Sequence, residues 1–295
     1  MSRVHRALIP AAGRGTRFLP LTKTVPKELA PIVTTPAIEF VVREASANGV
    51  TDVLLVLSAG KEAIAEYFQP AAELEAALVA KGDAAGLEQV RGPAGLADVR
   101  QVEQREPRGL GDAVAHGEAF AAGEPFAVLL PDDLIDDRDV LLGPMIDVYD
   151  EYGGIVIGLV AVPRQEIGKY GCVALADGYT EADDVVAVVD LIEKPDPAQA
   201  PSTLAIIGRY VLPSQIFDAL RDTVPGSGGE IQITDAMRLL ARTGVPVHGV
   251  IFRGRRYDTG DRLGYVKAVV QLAGRHPVIG ADFTAWLGEY VSKLD

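Results

Sequence analysis

Ala11 to Glu28 reads AAGRGTRFLPLTKTVPKE, and the fold class turns on this stretch. It follows a short apolar run, Val4 to Pro10, that reads as a first, buried strand. Ala11, Ala12, Gly13 and Gly15 let the backbone turn tightly and approach a ligand closely. Arg14, Arg17, Lys23 and Lys27 then place four cations within fourteen residues. Small residues exposing backbone N–H groups, followed at once by Arg and Lys, suit a polyphosphate. Two familiar phosphate schemes do not apply. The dinucleotide fingerprint needs a third Gly where this chain has Phe18, and a helix straight after the glycines, which Leu19-Pro20 and Pro26 oppose. The Walker pattern needs Gly-Lys-Ser/Thr, and Gly15-Thr16-Arg17 does not supply it.

The 295 residues, 48% hydrophobic and 23% charged, allow one large α/β domain or two small ones around a substantial core. No apolar run approaches the roughly 18 residues that span a bilayer. Met1–Pro10 has no extended apolar region of signal-peptide kind, so no membrane and a cytoplasmic location are expected. The single cysteine, Cys172, excludes an intramolecular disulfide and a Cys-based zinc site. His5, His116, His248 and His276 show no ligand spacing. The net charge of −13 argues against nucleic acid as a partner. Residues 14–28 nonetheless sum to +3, leaving −16 for the remainder. A positive patch on a negative chain is a directed site for a small anion.

Downstream, Ile38, Val41, Val42 and Ala45 recur at helical spacing behind Thr35 and Pro36, and Asn48-Gly49 ends that helix. Asp52 to Leu57 is an apolar strand, which completes a βαβ unit and predicts parallel pairing. Gly60 to about Lys81 reads as helix, and glycine-interrupted 82–97 as a mobile or irregular insertion. Val99 to Gln104 reads as a strand, followed by a turn at Arg108–Ala113 and a helix to about Ala121. The apolar strand Phe126–Leu130 delivers Asp132 and Asp133 at its carboxyl end, where open α/β sheets bind ligands. A carboxylate there, in a protein equipped for phosphates, suits Mg²⁺, although an Asp pair after a strand is more often a cap or turn.

Further strands are expected at Ile155–Val162, Val185–Ile192, Leu204–Leu212 and Val247–Phe252. Gly208, inside the third of these, marks a bulge or the close approach of a ligand. Glu230 to Asp235 opens a helix through Leu240, Asp261 reads as an N-cap, and Phe283–Leu294 reads as an amphipathic packing helix. The expected fold is α/β, with a Rossmann-like mixed, mostly parallel central sheet flanked by helices. The chain is expected to form one domain, 1–295, with a first part at about 1–135, a second at 136–262 and C-terminal helices at 263–295.

The pattern G-x-G-T-R-F-x-P followed by P-K-E resembles the signature of the sugar-nucleotidyltransferases, and within them the bacterial UTP–glucose-1-phosphate uridylyltransferases. Gly109-Leu110-Gly111, Leu130-Pro131-Asp132, Glu193-Lys194-Pro195, Gly208-Arg209-Tyr210, Glu230-Ile231-Gln232 and Asp258-Thr259-Gly260 follow in that family's order. The resemblance runs from Val4 to about Leu287, and departs at Arg108, where the family has Lys, and at Thr203, where it has Asn. It implies UTP and glucose 1-phosphate as substrates, Mg²⁺ as cofactor and a homodimer or homotetramer. By the same resemblance Ala11, Ala12, Gly13 and Gly15 hold the nucleotide, while Gln104, beside Gly109, bonds the uracil edge. Arg17 and Lys27 neutralise the departing pyrophosphate, and Asp132 and Asp258 hold the metal. Lys194 meets the sugar phosphate, and Gly171, Glu193 and Gly208 lie at the sugar.

Three alternatives remain. A thymidylyltransferase shares the loop, but the Gly60–Ala97 insertion and the Ala205–Tyr210 run favour the uridylyl type by resemblance. A non-catalytic sugar-nucleotide sensor predicts erosion of Asp132, Lys194 or Arg17, and all three are present. An NAD-linked oxidoreductase is disfavoured by Phe18 and by the cations crowding the loop.

Overall fold

A computed structural model describes residues 4–294. The first strand, β1 (Arg6–Pro10), pairs in parallel on both sides, with β2 (Asp52–Leu57) and with β4 (Phe126–Leu129). Beyond β2 lies β3 (Asp98–Glu103), also parallel. Parallel neighbours need a crossover, and α1 (Ala37–Ala47) supplies the first, burying Ile38, Val41, Val42 and Ala45. Its start is one residue later than the spacing suggests. Pro36 is the residue before the helix, and Thr35-Pro36 pairs with Pro31-Ile32 in a short hairpin.

The remaining strands are β5 (Ile155–Ala161), β6 (Gly171–Leu175), β7 (Val185–Glu193), β8 (Leu204–Leu212) and β9 (Val247–Ile251). Together they form one nine-stranded sheet in the order β3-β2-β1-β4-β8-β5-β9-β7-β6, and a further β8–β6 pairing closes one end on itself. Four neighbour pairs are parallel and five antiparallel. The expected mixed sheet is therefore present, but its mostly parallel character is not. The parallel reading holds for β3-β2-β1-β4, whereas beyond β4 only β5 and β9 pair in parallel, because a strand buried on both faces reads as a continuous apolar run whichever way it points. Two cores flank the sheet. Ile9 and Leu55 face one with Ile38 and Met145, and their neighbours Leu8 and Leu54 face the other with Val114 and Met237.

The region read as an irregular insertion is ordered. Pro70 splits the expected long helix into α2 (Ala63–Glu66) and α3 (Ala72–Lys81), and α4 (Ala84–Arg91) follows. The Asp83 carboxylate accepts from the Gly86 N–H at 2.9 Å, and Gly82 and Gly92 sit at helix ends rather than inside. Next come α5 (Leu110–Ala115), α6 (Glu118–Ala121), α7 (Leu142–Tyr152), α8 (Ile216–Asp222), α9 (Ile233–Ala241), α10 (Arg262–Ala273) and α11 (Gly280–Val291). Asp261 caps α10 as expected, accepting from the N–H groups of Leu263 and Gly264. The C-terminal helix does not pack as expected. Only Gly280 of α11 is buried, and Trp286 and Tyr290 stack on each other while about half exposed. No helix among the described residues is long and apolar enough to cross a membrane.

Candidate active site

In the order β3-β2-β1-β4 the chain builds outward on one side of β1 and then returns to its other side. A crevice therefore opens beyond the carboxyl ends of β1 and β4. It is a cleft of ≈ 300 Å³ lined by Ala12, Gly13, Lys27, Gln104, Asp132 and Glu230, among others. The loop leaving β1 supplies one wall of it. Among the described residues, none accepts a hydrogen bond from the backbone N–H groups of Ala12, Gly13, Arg14 or Gly15. Gly15 is left-handed (φ +62°), which turns the chain back so that Thr22 bonds its carbonyl at 2.9 Å and Lys27 packs beside it. Successive unpaired N–H groups next to cations form a concavity for anionic oxygens.

The rear of this loop is held by a residue that sequence reasoning missed. Lys61, buried just after β2, donates to the carbonyls of Ala11 (2.7 Å) and Gly13 (2.6 Å) and to both oxygens of Glu28. A trans peptide points its N–H opposite to its C=O, so these contacts turn the N–H groups of Ala12 and Arg14 away from Lys61. Its signal in the sequence was a lysine at a strand's carboxyl end, Gly60-Lys61. The Ala11 N–H meanwhile bonds the Val56 carbonyl. With its N–H bonded to Val56, its carbonyl to Lys61 and its side chain buried, Ala11 is fixed at the base of the loop.

Across the cleft, Asp132 and Asp258 converge although 126 residues separate them. Asp133–Ile135 pairs antiparallel with Arg256–Asp258, with Asp133 opposite Asp258, and the Thr259 N–H bonds the Asp132 carbonyl at 2.7 Å. A side chain on Gly260 would meet Asp258 Oδ1 at 3.0 Å and Asp132 Oδ2 at 3.1 Å, so both carboxylates look onto one point. Arg17 reaches the same place, donating to the Gly260 carbonyl at 3.1 Å. Lys27 Nζ lies 2.6 Å from Asp132 Oδ2. Burial raises the Asp132 carboxyl, but the Lys27 ammonium, with Arg17 behind it, outweighs this and holds the group below the usual carboxylate range. Burial likewise opposes the charge on Lys27, and Asp132 and Glu28 overcome it, leaving the lysine above its ordinary value. Asp258 is pushed up by burial, against the pull of the Gly260 N–H and Arg256.

The residues expected at the sugar form an adjoining group outside this cleft. Gly171 opens β6 directly opposite Glu193 in β7, and Thr234, another residue that was not anticipated, donates to Glu193 Oε2 at 2.7 Å. Lys194 is left-handed (φ +45°), unusual for a side-chain-bearing residue. The turn breaks the strand's alternation, and Nζ returns to 3.4 Å from Glu193 Oε1. The Lys194 N–H bonds the Tyr170 carbonyl, the Arg256 guanidinium stands 6.0 Å over the Tyr170 ring, and Arg256 also pairs with Asp133 at 2.5 Å. Tyr170 and Arg256 thus join Lys194 and Glu193 to the carboxylates.

The nucleotidyl transferase family model matches residues 6–274. This chain belongs to the nucleotidyl transferase family. It is similar to UTP–glucose-1-phosphate uridylyltransferase YngB of Bacillus subtilis (strain 168), with 42% identity covering 99% of this chain and 97% of the relative. The UTP-bound UGPase from Acinetobacter baumannii superposes with a TM-score of 0.89 at 37% identity, covering 97% and 99% of the two chains. A UDP-glucose pyrophosphorylase complexed with UDP-glucose superposes with a TM-score of 0.82 at 36% identity, covering 92% of this chain and all of the other.

Two glycines of this nucleotidyl transferase, Gly109 and Gly208, also have tasks in the fold. Gly109 (φ +107°) lines the cleft, but what a side chain there would strike is Ile231 O at 2.7 Å, not only a flat ligand. The Arg108–Gly111 turn is locked to the Glu230-Ile231 segment through reciprocal backbone bonds, Ile231 N–H to Arg108 O and Gly111 N–H to Ile231 O. Gly208 does mark a bulge, with the register shifting between Ile206 and Tyr210. Its N–H is taken by Asp133 Oδ2 (2.8 Å) and its carbonyl by Leu130 N–H and Arg209, so its polar groups tie the bulge to the strand end that carries the carboxylates. Arg209 is fully buried, paired with Glu44 and donating to the Asp133 carbonyl, and it anchors this strand behind the carboxylates.

Proposed function

We propose that this nucleotidyl transferase converts UTP and α-D-glucose 1-phosphate to UDP-glucose and pyrophosphate. It is a UTP–glucose-1-phosphate uridylyltransferase. The observation that carries the reading is the cleft itself, where Ala12 and Gly13, whose N–H groups have no acceptor among the described residues, share a wall with a strand-end carboxylate already holding a lysine, in a chain so similar to uridylyltransferases. Mg²⁺ is the cofactor in this reading. Asp132 and Asp258 fit it, being hard oxygen donors set around one point, and a cation that keeps waters and takes substrate phosphates needs few protein ligands. Asp132 and Asp258 would hold it, and it would supply neutralisation of phosphate charge there.

The nucleophile is an ionised phosphate oxygen of glucose 1-phosphate, so no side-chain base is required. As it bonds to the α-phosphorus, the bond to the oxygen bridging to the β-phosphorus breaks and pyrophosphate departs. The obstacle is the meeting of two polyanions in line, which positioning and fixed positive charge overcome. Ala12, Gly13 and Gly15 cradle the phosphates, and Arg17 and Lys27 neutralise the leaving group. Gln104 and Gly109 take the base, Lys194 the sugar phosphate, and Glu193 with Gly171 the glucose ring. Residues 1–135 carry the nucleotide and 136–262 the sugar within one domain, and the reaction is placed in the cytoplasm. The exposed apolar face of α11 supports a homodimer or homotetramer.

The test is pyrophosphate release with Mg²⁺, UTP and glucose 1-phosphate. The expected result is rapid release with UTP, a slower rate with dTTP, and a loss of about 10²–10³ in Asp132→Ala. Release with dTTP that equals or exceeds UTP moves the enzyme to the thymidylyl branch. UDP-glucose binding without turnover of any nucleotide makes the protein a sensor and overturns the reading.

A further inference from the structure

Gln104, at the carboxyl end of β3, is nearly buried but lines the cleft. Its amide Nε2 lies 2.7 Å from Asp112 Oδ2 and 3.4 Å from the Gly109 carbonyl oxygen. An ionised carboxylate and a backbone carbonyl both accept and cannot donate. An amide set between two such groups can turn only its NH₂ toward them, so the orientation of Gln104 follows from its neighbours' chemistry. Oε1 then faces the other way. No described residue donates to it, and it is not among the polar atoms sealed in the interior. It is an acceptor presented to the cleft.

Asp112 is itself held in place. It sits in the first turn of α5, whose start is tied to the Ile231 carbonyl through the Gly111 N–H, and its Oδ1 lies 4.0 Å from Arg108 Nε. Its side chain is 14% exposed, so water competes little for the bond to Gln104.

We propose that Asp112 is a positioning residue for base selection: by holding the NH₂ of Gln104, it commits Oε1 to receive a ring N–H from the nucleobase. Uracil and thymine carry that N–H at N3. Cytosine has a bare acceptor there, which would meet Oε1 lone pair to lone pair. The selection is therefore against cytosine and is blind to the methyl that separates uracil from thymine. The inference rests on the proposed placement of the base against Gln104.

The experiment compares kcat/KM for UTP, CTP and dTTP in the wild type and in Asp112→Asn, Asp112→Ala and Gln104→Ala. An asparagine can donate as well as accept, so it permits the flipped amide, and alanine removes the constraint. In both Asp112 variants the UTP/CTP preference falls about tenfold or more, chiefly through KM, while the UTP/dTTP ratio stays within about twofold. An equal loss with all three nucleotides would make Asp112 merely structural and overturn the proposal. So would an unchanged UTP/CTP ratio in both variants with the ratio collapsing in Gln104→Ala, which leaves the base contact standing. If the ratio survives in Gln104→Ala as well, the placement of the base against Gln104 is what fails. Absence of UTP turnover in the wild type would instead sink the uridylyltransferase reading itself.

Discussion

The Ala11–Gly15 loop meets a lysine–carboxylate pair on each of its two faces, and the pairs behave differently. On the rear face Lys61 and Glu28 are 11% and 1% exposed, and Lys61 also spends its protons on two loop carbonyls. On the cleft face Lys27 and Asp132 are 16% and 33% exposed, with a single contact between them. Burial pulls the Lys61 ammonium below its ordinary value, because Glu28 offsets only part of that and Lys27 opposes it. Lys27 is held above its own, having Asp132 and Glu28 together. The rear pair is saturated and therefore rigid. The cleft pair is under-committed: each member has capacity for a ligand of opposite charge. Adjacent residues, Lys27 and Glu28, thus point one charge into the site and the other into its foundation.

Removing Lys61 is the strongest way to break this contrast. Lys61→Met leaves Glu28 buried without a partner and should cost about 3 kcal/mol of stability, read from urea unfolding. Lys27→Met should cost well under half of that, since Asp132 can turn to water. Equal losses would mean that the two faces do not differ. A smaller effect is expected at the bulge behind the carboxylates. Gly208→Ala sets a methyl 2.7 Å from Leu130 Cβ and should destabilise by about 1–2 kcal/mol with little change in KM for glucose 1-phosphate. A raised KM at unchanged stability would return Gly208 to the sugar site. The smallest effect sharpens the cleft pair. Lys27 occupies the charge that a cation at Asp132 would use, so nucleotide-free Lys27→Met should bind Mn²⁺ about tenfold more tightly than wild type by calorimetry. Unchanged affinity would show that the lysine does not compete with the metal.

Which parts of this arrangement can be read without coordinates follows from how far apart its members lie. The loop, its cations and the strands that feed the cleft are contiguous in sequence, and strand ends on the parallel side of the sheet face one edge. Arg17, Lys27 and Asp132 could be expected at one edge on that basis, while Gln104 was singled out only by the family resemblance. The antiparallel side has no such rule. There Gly208 lies in mid-strand, and its empty side-chain position is filled by Leu130 and Asp133 rather than a ligand. Asp133, unassigned from the sequence, proves to accept from Gly208 and to pair with Arg256, 123 residues away.

From its sequence alone this protein declares a loop suited to phosphates, a strand-end carboxylate, α/β class and a likeness to uridylyltransferases, because backbone freedom, charge and apolar periodicity are local properties. Tertiary structure decided the direction of the strands beyond β4, the support of the loop by Lys61, the meeting of Asp132 with Asp258 and the orientation of Gln104 by Asp112. Each of these depends on which groups share a buried space, and hydrogen-bond partners in such a space are chosen by folding, not by nearness along the chain.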